Sequence, residues 1–140
     1  MSANGGARIL LAEDEPSIVT SLRFVLGRAG FDVIVESDGA RAVERAFTDA
    51  PSLVLLDVMM PGIDGFEALR RLRADARTAE MPVVMLTAKG QREDRDTAMR
   101  LGASAFITKP FSNSEIVEAV RALAPAAPVA VATLPGGDGR

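Results

Sequence analysis

The amino-acid sequence predicts an α/β fold in which a five-stranded parallel sheet is covered by helices on both faces. Short apolar runs alternate with amphipathic stretches five times along the 140 residues. The apolar runs are nearly continuous, as in strands buried on both faces, and do not alternate between apolar and polar residues. Strands separated by helices of about ten to fifteen residues indicate βαβ units and a parallel sheet.

The first strand and helix are predicted from an apolar run and a helical repeat. Residues 9–12 form the strand, and Pro16 suits the first turn of the next helix because its missing N–H is not needed there. Within 17–29, apolar residues such as Leu22 and Leu26 recur every three or four positions. That spacing predicts one buried helix face.

The later elements follow the same logic. Residues 32–36 and 53–56 are rich in Val, Ile and Leu and are predicted as the second and third strands. Residues 39–47 and 65–74 carry apolar side chains at helical spacing and are predicted as the second and third helices. The remaining predicted elements are the fourth and fifth strands, 82–86 and 104–107, and a final helix, 114–123.

The predicted fourth helix, 91–101, differs from the others in its charge. It contains five successive charged residues, 92–96, and only Ala98, Met99 and Leu101 are expected to be buried. A charge run of this kind is usually a solvated face. The alternative is a loosely packed surface that moves or docks a partner.

Composition excludes several kinds of site. The chain has no cysteine, so neither a disulfide nor a thiolate metal site can form. It also has no histidine, which excludes a Ser-His-Asp triad, a histidine general base and a phosphohistidine. A net charge of -3 argues against general nucleic-acid binding.

The domain organisation is predicted to be simple. Residues 1–7 form an N-terminal extension, 8–123 one domain, and 124–140 an Ala/Pro/Gly-rich tail or linker. No apolar run approaches the ~18 residues of a membrane span, and the N-terminus lacks a secretory signal. We therefore expect a cytoplasmic protein that does not associate with membranes.

Polar residues follow four of the predicted strands. Glu13 and Asp14 come after the first strand, Asp57 after the third, Thr87 after the fourth and Lys109 after the fifth. In open parallel sheets, ligands bind outside the carboxyl ends of the strands. Three carboxylates, a hydroxyl and an ammonium group are therefore expected at one edge of the sheet.

This group of side chains favours phosphoryl chemistry with a metal ion. Three clustered carboxylates repel one another, and a single lysine cannot neutralise them. Mg²⁺ accepts oxygen ligands and commonly bridges carboxylates and phosphates. A cation, Lys109 and Thr87 could together hold a phosphoryl group on Asp57. The simpler alternative is that the acids cap the first helix and the other residues only form turns.

Four segments in order resemble a known family. The segments ILLAEDEP, LVLLDVMMPGIDGFE, VVMLTA and AFITKPF are similar to the response-regulator receiver domain of two-component signalling. Thr87 lies 30 residues after Asp57, and Lys109 lies another 22 residues on. The resemblance covers about 8–123 and implies a flavodoxin-like, doubly wound (βα)5 fold with strand order 2-1-3-4-5.

The resemblance implies a set of metal ligands. Asp57 would be the phosphoacceptor and also a Mg²⁺ ligand, and Asp14 would be the second direct ligand. Glu13 would act mainly through a metal-bound water. The backbone carbonyl of Met59 would complete the ligands from the protein.

The resemblance also implies residues that respond to the phosphoryl group. Lys109 would pair with phosphoryl oxygens, and its peptide bond to Pro110 is usually cis in the family. Thr87 would hydrogen-bond the phosphoryl group, and Phe106 would rotate inward to fill the space left. An aromatic residue in a strand is, however, more often a constant part of the core.

The function implied is that of a phosphorylation-controlled switch. A sensor histidine kinase, a histidine phosphotransfer protein or a small donor such as acetyl phosphate would supply the phosphoryl group. Phosphorylation would change the face formed by the fourth helix, fifth strand and fifth helix, which controls a downstream protein and could also serve for dimerisation. The alternative is a phosphate sink or interaction module with no conformational output.

A turnover enzyme is not expected, although the chain would catalyse its own phosphorylation and dephosphorylation. Phosphatases of the haloacid dehalogenase kind need a second aspartate two residues after the first, where this chain has Met59. We further expect an apolar Met59 to slow self-dephosphorylation. No direct DNA binding is expected, and the sequence leaves open whether the chain acts alone or within a longer protein.

Overall fold

The computed structural model describes residues 7–88 and 92–124 and shows five strands alternating with five helices. The strands are β1 Arg8–Ala12, β2 Asp32–Glu36, β3 Leu53–Asp57, β4 Val83–Thr87 and β5 Ala105–Thr108. The helices are α1 Pro16–Arg28, α2 Gly39–Asp49, α3 Gly65–Ala74, α4 Arg92–Arg100 and α5 Asn113–Leu123. None of the described helices is long and apolar enough to cross a membrane.

All five strands are parallel and lie in the order β2-β1-β3-β4-β5. In the middle of the sheet, Leu11 of β1 lies opposite Val35 of β2 and Leu55 of β3. The chain therefore winds in both directions from β1, which confirms the predicted flavodoxin-like fold and strand order.

Two apolar cores lie on opposite faces of the sheet. On one face, α1 and α5 bury Leu22, Leu26, Ile116 and Val120 against side chains that alternate along β1 and β3. On the other face, α2, α3 and α4 pack on the remaining side chains of the same strands. Ala7 and Ala124, just outside the first strand and last helix, also pack against the first core.

Three strands end one residue later than predicted, at Asp57, Thr87 and Thr108. The N–H of Val58 donates to the carbonyl of Leu86 at 2.8 Å, and the N–H of Lys109 donates to the carbonyl of Thr87 at 2.6 Å. These bonds continue the ladder past the apolar runs. Asp57 and Thr87 are therefore held by the sheet itself.

The prediction that Met99 of α4 is buried is wrong. Its side chain is 45% exposed, whereas Ala98 is completely buried. Of the residues in this helix, only the small Ala98 is buried against the sheet. The predicted start of the helix, position 91, lies outside the described residues. A helix held by so little buried area costs little free energy to displace.

The end of α4 is tied to the neighbouring loop by Arg73 of α3, a contact that sequence patterns did not predict. The Arg73 guanidinium donates to the carbonyls of Gly102, Thr78 and Ala79 at 3.0 to 3.2 Å. Burial lowers the pKa of this arginine. The turn after α4 is therefore anchored even though the helix itself buries little.

Replacing Gly27 with alanine should stabilise the protein. Gly27 lies in the last turn of α1, and a Cβ added there meets nothing within 4 Å. Alanine loses less backbone entropy in a helix, so urea unfolding should show a free energy of unfolding higher by about 0.5–1 kcal/mol.

Gly102→Ala is the opposing control for this comparison. Gly102 has a φ of +105° and would bring its Cβ to 3.1 Å from Arg73. We expect this variant to lose more than about 1 kcal/mol, because alanine is strained at positive φ. A destabilised Gly27→Ala, or an unchanged Gly102→Ala, would contradict the described backbone.

Candidate functional site

Three acidic side chains meet at the carboxyl edge of the sheet. One carboxylate oxygen from each of Glu13, Asp14 and Asp57 lies within 4.8 Å of the others. They meet because β1 and β3 are neighbours, with Ala12 opposite Leu56 at their ends. Glu13 and Asp57 are only 1% and 3% exposed, whereas Asp14 is exposed, so the cluster is buried on one side and open to solvent on the other.

Lys109 lies between two of these acids. Its Nζ donates to Glu13 Oε1 at 3.1 Å and to Asp57 Oδ2 at 3.2 Å. Burial lowers the pKa of Lys109, but hydrogen bonds and charges from the two carboxylates outweigh it, so the pKa is raised. The Lys109–Pro110 peptide bond is cis, as the resemblance implies.

The pKa of Glu13 is raised by its position in the cluster. Burial first, and then the hydrogen bond and charge of Asp57, raise the pKa of Glu13 to about 7. Lys109 acts in the opposite direction without compensating fully. The site therefore has more negative charge than one ammonium group can balance near neutral pH.

The backbone around Asp57 fixes its carboxylate. Asp57 Oδ1 accepts the N–H of Met59 at 3.1 Å, while the other oxygen faces Lys109. A Cβ on Gly65 would lie 2.3 Å from the Asp57 carbonyl oxygen, so only glycine allows α3 to begin so close to the end of β3. The Asp57 carboxylate is thus held by the Met59 N–H at one oxygen and by the Lys109 ammonium at the other.

Of the other predicted residues, Thr87 lies at the same edge of the sheet, whereas Phe106 lies two residues before the end of β5. Thr87 is buried at the end of β4, opposite Thr108 in the sheet. Phe106 pairs with Met85 and is half-buried against the core formed by α2, α3 and α4. The Met59 carbonyl as a metal ligand stays a prediction, as do the switching roles of Thr87 and Phe106.

The direct pairing of Glu13 with Lys109 is the feature that sequence reasoning missed. The resemblance implies that Glu13 acts mainly through a metal-bound water and that Lys109 pairs with phosphoryl oxygens. The N–H of Glu13 donates to the carbonyl of Glu36 at 3.0 Å, which extends the β1–β2 ladder by one residue. That extension directs the Glu13 side chain into the site, and no pattern in the sequence signals it.

The donor set fits a hard divalent cation. All three candidate side chains supply carboxylate oxygens, which Mg²⁺ prefers, and the exposed Asp14 leaves a route for entry. A second positive charge would also relieve the repulsion that raises the pKa of Glu13. Together with the sheet order, the site defines a flavodoxin-like domain able to hold a metal ion beside a buried aspartate.

Comparison with known proteins gives the family. The family model for the response regulator receiver domain matches residues 9–121. The alkaline phosphatase synthesis transcriptional regulatory protein PhoP of Bacillus subtilis is 44% identical over 116 residues, which are 83% of this chain and 48% of that protein. The DNA-binding dual master transcriptional regulator RpaA of Synechocystis is 43% identical over the same shares. The chain thus spans about half the length of these relatives.

Solved structures agree with the sequence relatives. The receiver domain of a Pseudomonas aeruginosa sensor histidine kinase, with a magnesium ion coordinated in its active-site cleft, has a TM-score of 0.79 and 30% identity, covering 84% of this chain and 97% of that one. The beryllofluoride-activated receiver domain of Klebsiella pneumoniae RstA has a TM-score of 0.77 and 34% identity, covering 83% and 97%. The chain belongs to the response regulator receiver family of two-component signalling. Members of this family accept a phosphoryl group and bind Mg²⁺ in the active site.

Proposed function

We propose that Asp57 accepts a phosphoryl group from a sensor histidine kinase or a histidine phosphotransfer protein and that this event controls a downstream protein. The observation that carries the proposal is the position of the Lys109 ammonium, within 3.2 Å of Asp57 and 3.1 Å of Glu13. A positive charge held there can neutralise a phosphoryl oxygen on Asp57 without moving far. Family membership supports the same assignment.

In the proposed reaction, an Asp57 carboxylate oxygen attacks phosphorus, and the bond from phosphorus to the donor nitrogen breaks. Lys109 pairs with a phosphoryl oxygen, and the Thr87 hydroxyl donates to another. Phosphoryl transfer depends mainly on such positioning and charge neutralisation. The chain is not a turnover enzyme in this proposal, because the phosphoryl group stays on Asp57 until water removes it.

Mg²⁺ would be held by Asp14 and Asp57 directly, by Glu13 through a water and by the Met59 carbonyl. When bound, it supplies positive charge to the transferring phosphoryl group. The fit of three carboxylate oxygens within 4.8 Å supports this assignment.

Asp14→Asn should remove the stabilisation that Mg²⁺ gives the protein. At a Mg²⁺ concentration ten times its dissociation constant, the wild type should gain about 1.4 kcal/mol of stability. We expect the variant to gain almost none, because one direct ligand loses its charge. Thermal unfolding with and without MgCl₂ at constant ionic strength measures the difference.

Asp49→Asn is the matched control for Asp14→Asn. Asp49 ends α2, at the opposite edge of the sheet, and pairs only with Arg45 of the same helix among the described ion pairs. Its variant should respond to Mg²⁺ as the wild type does. An equal response in Asp14→Asn would contradict the proposed ligand.

We propose that phosphorylation of Asp57 changes the conformation of the face formed by α4, β5 and α5. Two observations support it: α4 buries only Ala98 completely, and Phe106 of β5 is half-buried beside that core. Phosphorylation must favour the active arrangement by a few kcal/mol to switch it. The same face could carry a dimer.

Beryllofluoride, which mimics a phosphoryl group on aspartate, tests the switch. With Mg²⁺, amide NMR signals of Thr87, Phe106 and α4 should shift in the wild type, and no signal should shift in Asp57→Asn. Shifts confined to residues next to Asp57, with α4 unchanged, would contradict the switch and favour a phosphate sink.

The place of the chain in the cell is proposed by analogy with its family. We propose a cytoplasmic location. The upstream partner would be a kinase or phosphotransfer protein, and the downstream partner a protein that is not yet identified. The two sequence relatives are transcriptional regulators about twice as long as the matched segment. With a net charge of -3, direct DNA contact by this chain is not proposed.

A further inference from the structure

The N-terminus of α2 contacts the loop between β3 and α3 at three consecutive residues. The N–H of Gly39 donates to the carbonyl of Pro61 at 3.2 Å. The Asp38 carboxylate lies against Gly62, where an added Cβ would be 2.9 Å from Asp38 Oδ2. A Cβ added to Gly39 would overlap the carbonyl oxygen of Ile63 and lie 2.8 Å from its Cγ1. This close approach of helix and loop therefore requires glycine at position 39.

The two ends of this loop, 58–64, are fixed by other contacts. The N–H of Val58 donates to the carbonyl of Leu86, and the N–H of Gly65 donates to the carbonyl of Val58, both at 2.8 Å. Within 59–64, only Met60 is buried. The contact with α2 therefore restrains the part of the loop that the core does not hold.

A displacement of the middle of the loop would move the backbone of Met59. Its N–H donates to Asp57 Oδ1 at 3.1 Å, and it lies only two residues before Pro61. Because both ends of the loop are fixed, a shift at 61–63 is absorbed by the backbone dihedral angles between those ends. Pro61 absorbs little of it, since its ring fixes φ. The helix moves less readily than the loop, because its apolar face is buried in the core.

We propose that Gly39 is a positioning residue of the phosphoacceptor site: it allows α2 to hold the β3–α3 loop so that the Met59 backbone stays beside Asp57. The inference rests on the proposed Mg²⁺ site, in which the Met59 carbonyl is a ligand. Mg²⁺ demands near-ideal octahedral geometry, so a displaced ligand binds it less well. Residues that orient metal ligands without touching the metal commonly change its affinity about 10–100-fold.

The experiment compares Gly39→Ala with Gly102→Ala, the variant expected to lose stability at the opposite edge of the sheet. Both are made in an Ala50→Gly background, which is also the reference protein. Glycine relieves the φ of +47° at the end of α2 and raises stability, so that both variants fold. Amide NMR without metal ion reports on the Met59 backbone, and titration with MgCl₂ at constant ionic strength gives the dissociation constant of Mg²⁺.

Gly39→Ala should shift the amide signal of Met59 in metal-free protein and should weaken Mg²⁺ binding about 10–100-fold. Gly102→Ala should change neither quantity, although it also loses stability. The pair of variants therefore separates the positioning of the loop from a general loss of stability.

A second measurement uses the wild type alone. Coupling between two sites is reciprocal, so bound Mg²⁺ should in turn stabilise the contact made by Gly39. Hydrogen exchange of the Gly39 amide should slow at least about fivefold in saturating MgCl₂. The control is the amide of Arg77, which donates to Asp75 Oδ1 at 2.9 Å at the opposite edge of the sheet. Its exchange rate should be the same with and without Mg²⁺.

Three results would overturn the inference: an unshifted Met59 amide in folded Gly39→Ala, an equal weakening of Mg²⁺ binding in Gly102→Ala, or Gly39 exchange that does not change when Mg²⁺ binds. A wild type that binds no Mg²⁺ would instead contradict the proposed metal site. The Met59 amide of the metal-free variant would still decide the inference in that case, so the two failures are distinguishable.

Discussion

Asp57→Asn should abolish phosphorylation, with at least about 10³-fold less phosphoprotein formed than in the wild type. The amide has the shape of the carboxylate but is a poor nucleophile, and it removes one charge from the metal site. Phosphate-affinity electrophoresis after incubation with acetyl phosphate and Mg²⁺ measures the result.

The variant should fold normally, which separates a chemical effect from a structural one. The amide would remove repulsion with Glu13, whose pKa the Asp57 carboxylate helps to raise, so the thermal stability of the variant should equal or exceed that of the wild type. Asp49→Asn, at the far edge of the sheet, should be phosphorylated normally. Substantial labelling of folded Asp57→Asn would show that another residue is the acceptor.

Lys109→Met should slow phosphorylation from a small donor by about 10²–10³-fold, the usual effect of removing one preorganised donor to a developing charge. Methionine retains much of the length of the lysine side chain but leaves Glu13 and Asp57 facing each other without the ammonium group. Single-turnover labelling over a range of donor concentrations separates a slower chemical step from weaker donor binding.

Two further variants make the lysine experiment specific. Lys109→Arg keeps the charge with a different shape and should recover part of the rate. Arg121→Met removes a positive charge from the last turn of α5 and should leave the rate unchanged. A Lys109→Met protein that is folded and labelled at the wild-type rate would contradict the assigned role.

The sequence predicts the order of elements well because each one carries its own periodic pattern. The apolar runs define five strands, and their alternation with helices predicts that they are parallel. Their order in the sheet is implied by the resemblance of four motifs. The least accurate parts are strand ends, where backbone hydrogen bonds continue beyond the apolar run. Asp57 and Thr87 belong to the sheet for that reason, although their side chains are polar.

The details that sequence reasoning did not predict depend on tertiary contacts. The pairing of Glu13 with Lys109 joins residues 96 positions apart. The anchoring of the α4–β5 turn by Arg73 joins residues 29 positions apart. Met99 was expected to be buried from its hydrophobicity alone, but the orientation of α4 exposes it. Helical spacing cannot determine that orientation when a helix has so few apolar residues.

The most direct measurement of the central claim is the position of the phosphoryl group. Protein labelled with acetyl phosphate and Mg²⁺ is treated with borohydride, which reduces an aspartyl phosphate to homoserine, and is then mapped by peptide mass spectrometry. We expect homoserine at position 57 alone, and none in a sample without donor. Homoserine at Asp14 or at another aspartate, with unmodified Asp57, would contradict the assignment.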